Sequence, residues 1–457
     1  MAGISGSERQ PQKLRLAEIV SALSYALDLT DGQPAGHSVR CCWIGMHLGE
    51  KLGLSDAEKH DLYYTLLLKD LGCSSNAARI CKLFATSDHD FKRNAKLIDN
   101  SFTQVLGFIA ANTAVRSGLA VKLRTVLSLA MSGGKIDREL IETRCERGAE
   151  IARRMRFSEP VAKAILDLDE HWDGRGQPLG RKGAEISLLA RIALLAQVVD
   201  VFFITSGRKA ACREVRRRAG KWFDPHLASV YEDVVADPDF WSALEDPKLD
   251  SRVFGLEPAG FSQAVDEDLL DDIADGFAQV IDAKSPFTSG HSKRVALFAD
   301  LIATELGFSR ARKRWLVRGA LLHDIGKLGV SNEVLDKPAK LEPQEWQAMK
   351  SHPDLGAAIL ERIDAFRRLA TIARNHHEKL DGSGYPNGLA GSELDLETRI
   401  VTVADIFDAL TADRPYRAAM PAAKALAIMA ADVGTGLDPI CYDALTRALQ
   451  GLESKAA

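Results

Sequence analysis

Five short motifs occur twice, in the same order, in the two halves of this 457-residue chain. GHSVR at 36–40 returns as GHSKR at 290–294, and LLLKDLG at 66–72 returns as ALLHDIG at 320–326. HWDGRGQPLG at 171–180 pairs with KLDGSGYPNG at 379–388, LARIALLAQVVDVFF at 189–203 with ETRIVTVADIFDALT at 397–411, and FDPHL at 223–227 with LDPIC at 437–441. Separations are kept as well: 33 residues part His37 from Asp70 and His291 from Asp324, and 24 part Asp173 from Gln197 and Asp381 from Asp405. A repeat of this length is one supersecondary unit used twice. It predicts lobe one over 13–245 and lobe two over 266–457, joined by a linker at 246–265 with Pro and Gly punctuation. Residues 1–12 are polar and expected to be disordered.

Within each lobe the apolar residues recur at three- and four-residue steps, as in 62–71, 161–168, 292–306 and 313–322. Alternating β-branched runs are scarce, so the expected fold is all-α, built as two tandem helical lobes. Lys and Arg total 59 against 63 Asp and Glu, a net charge of −4. Such a balance does not suit a chain that coats nucleic acid or an anionic membrane. The basic run at 213–221 is short and reads as a solvated helix face. Seven cysteines, odd in number and without a CxxC pair, argue against a disulfide framework or a zinc ribbon and fit a reducing cytoplasm. The most apolar stretch, 186–204, holds Arg191, Gln197 and Asp200, which suits a buried helix better than a membrane span.

Lobe two concentrates the residue types that hold divalent cations. They are His291, the pair His323-Asp324, His352, the pair His376-His377, and Asp405. A single histidine in a helix is usually an ordinary polar or core residue. This set exceeds what one tetrahedral ion can use, and a carboxylate such as Asp324 can bridge two ions, so the count points to a two-metal centre. Adjacent helical residues point about 100° apart. Both members of an HD or HH pair are therefore expected to reach a site lying against the side of their helix.

The order of these pieces resembles one known pattern in full. Lobe two reads HDIGKLGVSNEVLDKPAKL (323–341), MKSHPDLGAAIL (349–360), HHEKLDGSGYPNGL (376–389) and ADIFDALTADRPYR (404–417), including Gly384-Tyr385-Pro386. It is similar to the HD-GYP subgroup of the HD phosphohydrolase superfamily over roughly 280–440. The resemblance implies a helical bundle around a site of two or three divalent metal ions, iron or manganese, two being expected here, that hydrolyses cyclic di-GMP to the linear dinucleotide or to GMP. It implies metal ligation by His323, Asp324, His352, His376, His377 and Asp405, with His291 as the opening histidine. Asp324 and Lys327 would carry the chemistry, Lys327 neutralising phosphoryl charge. Arg414 and Arg417 resemble substrate-binding arginines, and Tyr385 would shape the substrate site. Two positions depart from the pattern. Phe287 replaces the Glu that permits a third metal in some members, and Ser285 stands where many members have Asp.

Lobe one has lost this set. Lys69 matches His323, Arg144 matches His352, Leu168-Asp169 match His376-His377, Gln197 matches Asp405, and only His37 and Asp70 persist. Two of the replacements are cations, which repel metals. Asp70 is expected to pair with Lys69 or Arg144. This silent copy is open to three roles: a homodimer surface, a site for a regulatory protein or ligand, or a packing partner. Two other functions also stay open for the chain. One is hydrolysis of a different cyclic dinucleotide or nucleotide, and the other is a non-catalytic, nucleotide-binding signalling adaptor.

Overall fold

The computed structural model describes residues 15–84, 86–98, 107, 135–261, 265–413 and 417–456. Among these residues there are helices and isolated bridges but no strand. The duplication is visible element by element. Leu16–Thr30, His37–Lys51 and Asp56–Leu68 correspond to Glu267–Asp282, His291–Glu305 and Arg310–Leu322. Further on, Glu159–Leu166, Leu188–Ser206, Arg208–Arg218 and Pro225–Val235 correspond to Arg367–Asn375, Leu396–Thr411, Ala422–Met429 and Pro439–Ala456.

The repeated motifs are the punctuation of these helices. In GHSxR the glycine (Gly36 or Gly290) precedes the helix at φ 83° or 68°, a left-handed angle that other residues adopt at a cost. The serine that follows is held by a carboxylate from the preceding helix. Ser38 donates through N and Oγ to Asp28 at 3.0 and 2.7 Å, and Ser292 does the same to Asp282 at 3.1 and 2.6 Å. These bonds satisfy N–H groups that a helix start leaves without partners. Ser55 and Glu58 form a reciprocal cap on Asp56–Leu68, and Asp395 caps Leu396–Thr411.

Leu188–Ser206 is long and apolar enough to cross a membrane, yet most of it is buried inside lobe one. Each of its enclosed residues, such as Ile192, Leu195 and Val199, contributes about 1.5–3 kcal/mol of burial. Of the segment at 246–265, expected to be a linker, residues 246–261 are instead partly helical and packed. Leu249–Phe254 buries Leu249 and Val253, one turn apart, and the buried Glu257 accepts from Tyr64 Oη at 2.6 Å and from Arg15 at 2.5 Å. The Pro and Gly residues punctuate this stretch without detaching it from lobe one.

The lobes share one continuous apolar core. Their contact is reciprocal. Leu16–Thr30 of lobe one lies against the turn Ile325–Gly329 and the helix His352–Leu360, while Glu267–Asp282 of lobe two lies against Lys135–Arg154. A buried polar network fixes this junction. Lys284 Nζ donates to Leu328 O at 3.0 Å and faces Asp88 of lobe one at 3.4 Å. Asp88 also accepts from Asn332 N at 3.0 Å. Burial lowers the Lys284 pKa to about 8 against the pull of Asp88.

Candidate metal centre

The candidate ligands singled out in lobe two converge on one buried point, and all but Asp405, which lies within Leu396–Thr411, arrive from helix ends. His323 closes Arg310–Leu322, and Asp324 has already left it, at φ −99° and ψ 11°. His376 closes Arg367–Asn375 and His377 follows it, while His352 and His291 open their helices. The pairs therefore do not reach a site beside a helix, as expected above. Adjacent side chains converge because the second residue of each pair lies beyond the helix and is free of its 100° rotation.

Helix ends also determine which nitrogen faces inward. The last carbonyls of a helix lack intrahelical partners. His323 Nδ1 donates to Ala320 O at 2.7 Å, His352 Nδ1 to Met349 O at 2.7 Å, and His376 Nδ1 to Ala373 O at 2.9 Å. A carbonyl can only accept, so each Nδ1 carries the proton and each Nε2 presents a lone pair. His291 is oriented by a carboxylate, Asp408 Oδ2, at 2.7 Å. Asp408 is buried and also takes Arg294 Nε at 2.5 Å.

The inward nitrogens surround Asp324. Its Oδ2 lies 3.4 Å from His291 Nε2 and 3.3 Å from His323 Nε2, and its Oδ1 lies 3.4 Å from His352 Nε2 and 3.5 Å from His376 Nε2. Asp405 Oδ1 is 3.4 Å from His291 Nε2. Lys327 Nζ meets Asp324 Oδ2 at 2.5 Å. The donors fall into two groups that share Asp324: His352, His376 and His377 on one side, His291 and His323 on the other.

This donor set fits divalent cations, and its unpaired atoms show why. The Nε2 atoms of His291, His323 and His377 are buried and make no hydrogen bond, as is Asp324 Oδ1. The Nε2 atoms of His352 and His376 face each other at 3.4 Å with both protons on the far sides of the rings. Two opposed lone pairs repel unless a positive charge lies between them. Burial is also the largest influence on the imidazoles. It lowers His352, takes His376 down to about 4 and holds His377 well below its ordinary value, so all three are neutral ligands near pH 7. Burial opposes the charge on His291 too, but the carboxylates of Asp324, Asp408 and Asp405 around it raise its pKa to about 9, so this imidazole, unlike the other three, must give up a proton to ligate.

At the rim, the Tyr385 ring stacks on His377, with centroids 4.8 Å apart. The loop carrying it is tied down by Glu378, which accepts from the backbone N–H of Asn387, Gly388 and Leu389 at 2.7, 3.1 and 3.0 Å. A Cβ on Gly326 would lie 1.9 Å from His352 O, so only glycine lets the HD turn pass this closely. Ser285 donates to Asp336 at 2.5 Å, forming a pairing of its own at the position where Asp is common. Arg417 is placed differently from expectation. Its guanidinium donates to the carbonyls of Ala409 and Leu410 at 2.5 and 2.8 Å, ending the Leu396–Thr411 helix. Arg414 lies outside the described residues.

Lobe one repeats the scaffold with fewer donors: Asp31, His37 and Asp70 still lie close together, but the two carboxylates are already met by ammonium groups. His37 Nδ1 bonds Asp200 at 2.6 Å and Arg40 Nε bonds it at 2.5 Å, copying His291, Arg294 and Asp408. Glu170 holds its loop through Leu179, Gly180 and Arg181, as Glu378 does. Asp70 pairs with Lys69, Asp31 with Lys96, and Arg144 with Asp169. The two structural carboxylates, Asp408 and Glu378, escaped the sequence reading. Their signal was survival in the silent lobe, as Asp200 and Glu170, where no ligand role could have kept them.

The profile of the HD domain family matches residues 127–227 and 276–440. The chain is 52% identical to a 3'3'-cGAMP-specific phosphodiesterase 3 of Vibrio cholerae, over 95% of this chain and 94% of that protein. A solved crystal structure of a cyclic GMP-AMP specific phosphodiesterase from V. cholerae aligns over 96% of this chain and 98% of its own, with 47% identity and a TM-score of 0.65. A cyclic di-GMP phosphodiesterase response regulator of Xanthomonas campestris is 43% identical over 38% of this chain and 47% of its own.

Proposed function

The chain belongs to the HD domain family, and from that premise we propose that lobe two is a metal-dependent phosphodiesterase that opens a cyclic dinucleotide. One observation carries this reading: Asp324 is shared by two buried donor groups that are otherwise separate. The set suits two cations of iron or manganese type, one held by His352, His376 and His377, the other by His291, His323 and Asp405, with Asp324 common to both. When bound, such ions supply an activated water for in-line attack and neutralise phosphoryl charge.

The remaining tasks fall to the chain itself. Ala320, Met349 and Ala373 hold the imidazole protons on Nδ1 and leave Nε2 free to ligate. Asp408 orients His291 in the same way. Lys327, half-buried beside Asp324, offers an ammonium to phosphoryl oxygens as charge develops. Tyr385 covers His377 and keeps water off that flank. Arg417 is left out of the substrate set because its guanidinium serves a helix end, and Arg414 keeps its proposed role as a phosphate or guanine ligand.

For the substrate we favour 3'3'-cGAMP over cyclic di-GMP. The relative matched along 95% of this chain is named for the former, and the cyclic di-GMP enzyme of X. campestris is matched over 38%. Seven free cysteines fit a cytoplasmic setting. The test is anaerobic purification, metal analysis, and turnover of both dinucleotides by wild type and Asp324→Ala. Wild type should prefer 3'3'-cGAMP. Asp324→Ala should lose bound metal and at least about 100-fold in rate, more than the loss of an outer-shell partner costs. Stoichiometric dinucleotide binding without product, at full metal loading, would replace the enzyme with an adaptor.

A further inference from the structure

Lobe two carries an aromatic side chain that its fold does not use. Trp346 sits on the helix Pro343–Lys350, which buries none of its residues, and the indole is 42% exposed. It is nonetheless held in place. Its ring meets the edge of Tyr385 at 5.7 Å and 72°, and Tyr385 in turn lies face to face with His377 at 4.8 Å and 30°. Two ring contacts thus connect a candidate metal ligand to an open indole at the surface. Lys350 Nζ lies 5.9 Å from the same indole and adds positive charge beside it.

The silent lobe supplies an internal comparison. Counting back six residues from His352 gives Trp346, and counting back six from Arg144 gives Arg138. Tyr385 is matched by Gln177. Arg138 donates to Pro178 O at 3.3 and 3.0 Å, so in lobe one a guanidinium steadies the loop from the position that Trp346 holds in lobe two. The scaffold therefore does not need the Trp–Tyr pair, and the pair is absent from the lobe that has lost most of the metal donors.

We infer that Trp346 is a stacking residue for a purine base of the substrate, at a subsite whose inner wall is Tyr385; this rests on the phosphodiesterase reading above. A flat, polarisable, solvent-open indole beside a phosphate-hydrolysing centre presents the surface on which nucleobases stack, and stacking does not depend on base identity. The subsite selects for purine-bearing diesters over small ones. Discrimination between guanine and adenine is left to hydrogen-bonding groups elsewhere.

The test compares wild type, Trp346→Ala and Trp346→Phe, all metal-loaded, on 3'3'-cGAMP and on methyl p-nitrophenyl phosphate, a diester without a base. Trp346→Ala should raise KM for 3'3'-cGAMP about tenfold, the order expected for one lost base stack. Its kcat/KM for the small diester should fall much less, and Trp346→Phe should restore most of the affinity. An unchanged KM for 3'3'-cGAMP overturns the inference. So does an equal fall on both substrates, or a Phe variant no better than Ala, because either would mean that Trp346 only supports Tyr385. Wild type inert towards both cyclic dinucleotides would sink the phosphodiesterase reading itself, and the stacking role with it.

Discussion

Asp408 and Asp200 make the same hydrogen bonds in the two lobes, and this sets up a test in which stability and activity should rank in opposite orders. Replacing either by Asn removes the charge that holds a histidine Nδ1 (2.7 or 2.6 Å) and an arginine Nε (2.5 Å in both). Hydrogen bonds to charged groups contribute about 1.5–3 kcal/mol, less where solvent screens them. The Arg294 side chain is 39% exposed and that of Arg40 is 9% exposed. Asp200→Asn should therefore destabilise by roughly 2–4 kcal/mol and Asp408→Asn by roughly 1–3 kcal/mol. At about 2–4 °C per kcal/mol for units of this size, the difference is measurable by thermal unfolding in chelator. Turnover should rank the other way. Asp408 orients a candidate ligand and its loss should cost about 10–100-fold in metal affinity or rate, whereas Asp200 orients His37, whose neighbours Asp70 and Asp31 are met by Lys69 and Lys96. If Asp408→Asn kept wild-type turnover and metal content, the orienting role would be wrong. If Asp200→Asn lost as much turnover while still folded, the two lobes could not be separated in this way.

Lys284 makes stability depend on alkaline pH. Its folded pKa, about 8, is below the ordinary value of 10.5. Between these values the unfolded chain binds the proton and the folded chain does not, so the contribution of Lys284 to stability rises with pH across the window. Denaturant titrations at pH 7.5 and 9.5 should show wild type gaining roughly 1–2 kcal/mol relative to Lys284→Met, and a constant difference would contradict the assignment. Glu378→Ala should cost about 1–3 kcal/mol by leaving three loop N–H groups without their acceptor. It should also lower kcat by releasing Tyr385 from His377, which melting and turnover measurements on one preparation would reveal.

The helical class and the duplication were legible because caps and turns recur at fixed separations, and separations survive substitution better than residue identity does. The convergence of His323, Asp324, His352, His376 and His377 was legible for a related reason: each sits where a helix begins or ends, and those points are marked in the sequence. The local geometry was not. Nothing in HD or HH as a dipeptide shows that the helix ends at the first of the two residues, and the 100° spacing of helical neighbours misled. The segment at 246–265 carries Pro and Gly like a linker, but its Leu249 and Val253 are one turn apart and find a core to enter. Arg417 reads as a phosphate ligand by motif, yet an arginine just past a helix end also meets carbonyls without partners, and here it binds them. Asp408 was hidden inside an apolar run, where one carboxylate resembles any other until its partner comes into view.

The ammonium groups of Lys69 and Lys96, set against Asp70 and Asp31, mean that lobe one carries its counter-ions covalently. Chelation has nothing to take from it. On the proposed reading lobe two would take the same neutralisation from dissolved cations, so their scarcity would silence one half of the polypeptide and leave the other standing, its first helix still braced against the Ile325–Gly329 turn. Lobe one would then serve as a mould, keeping the cage of lobe two in shape for the next ions to arrive.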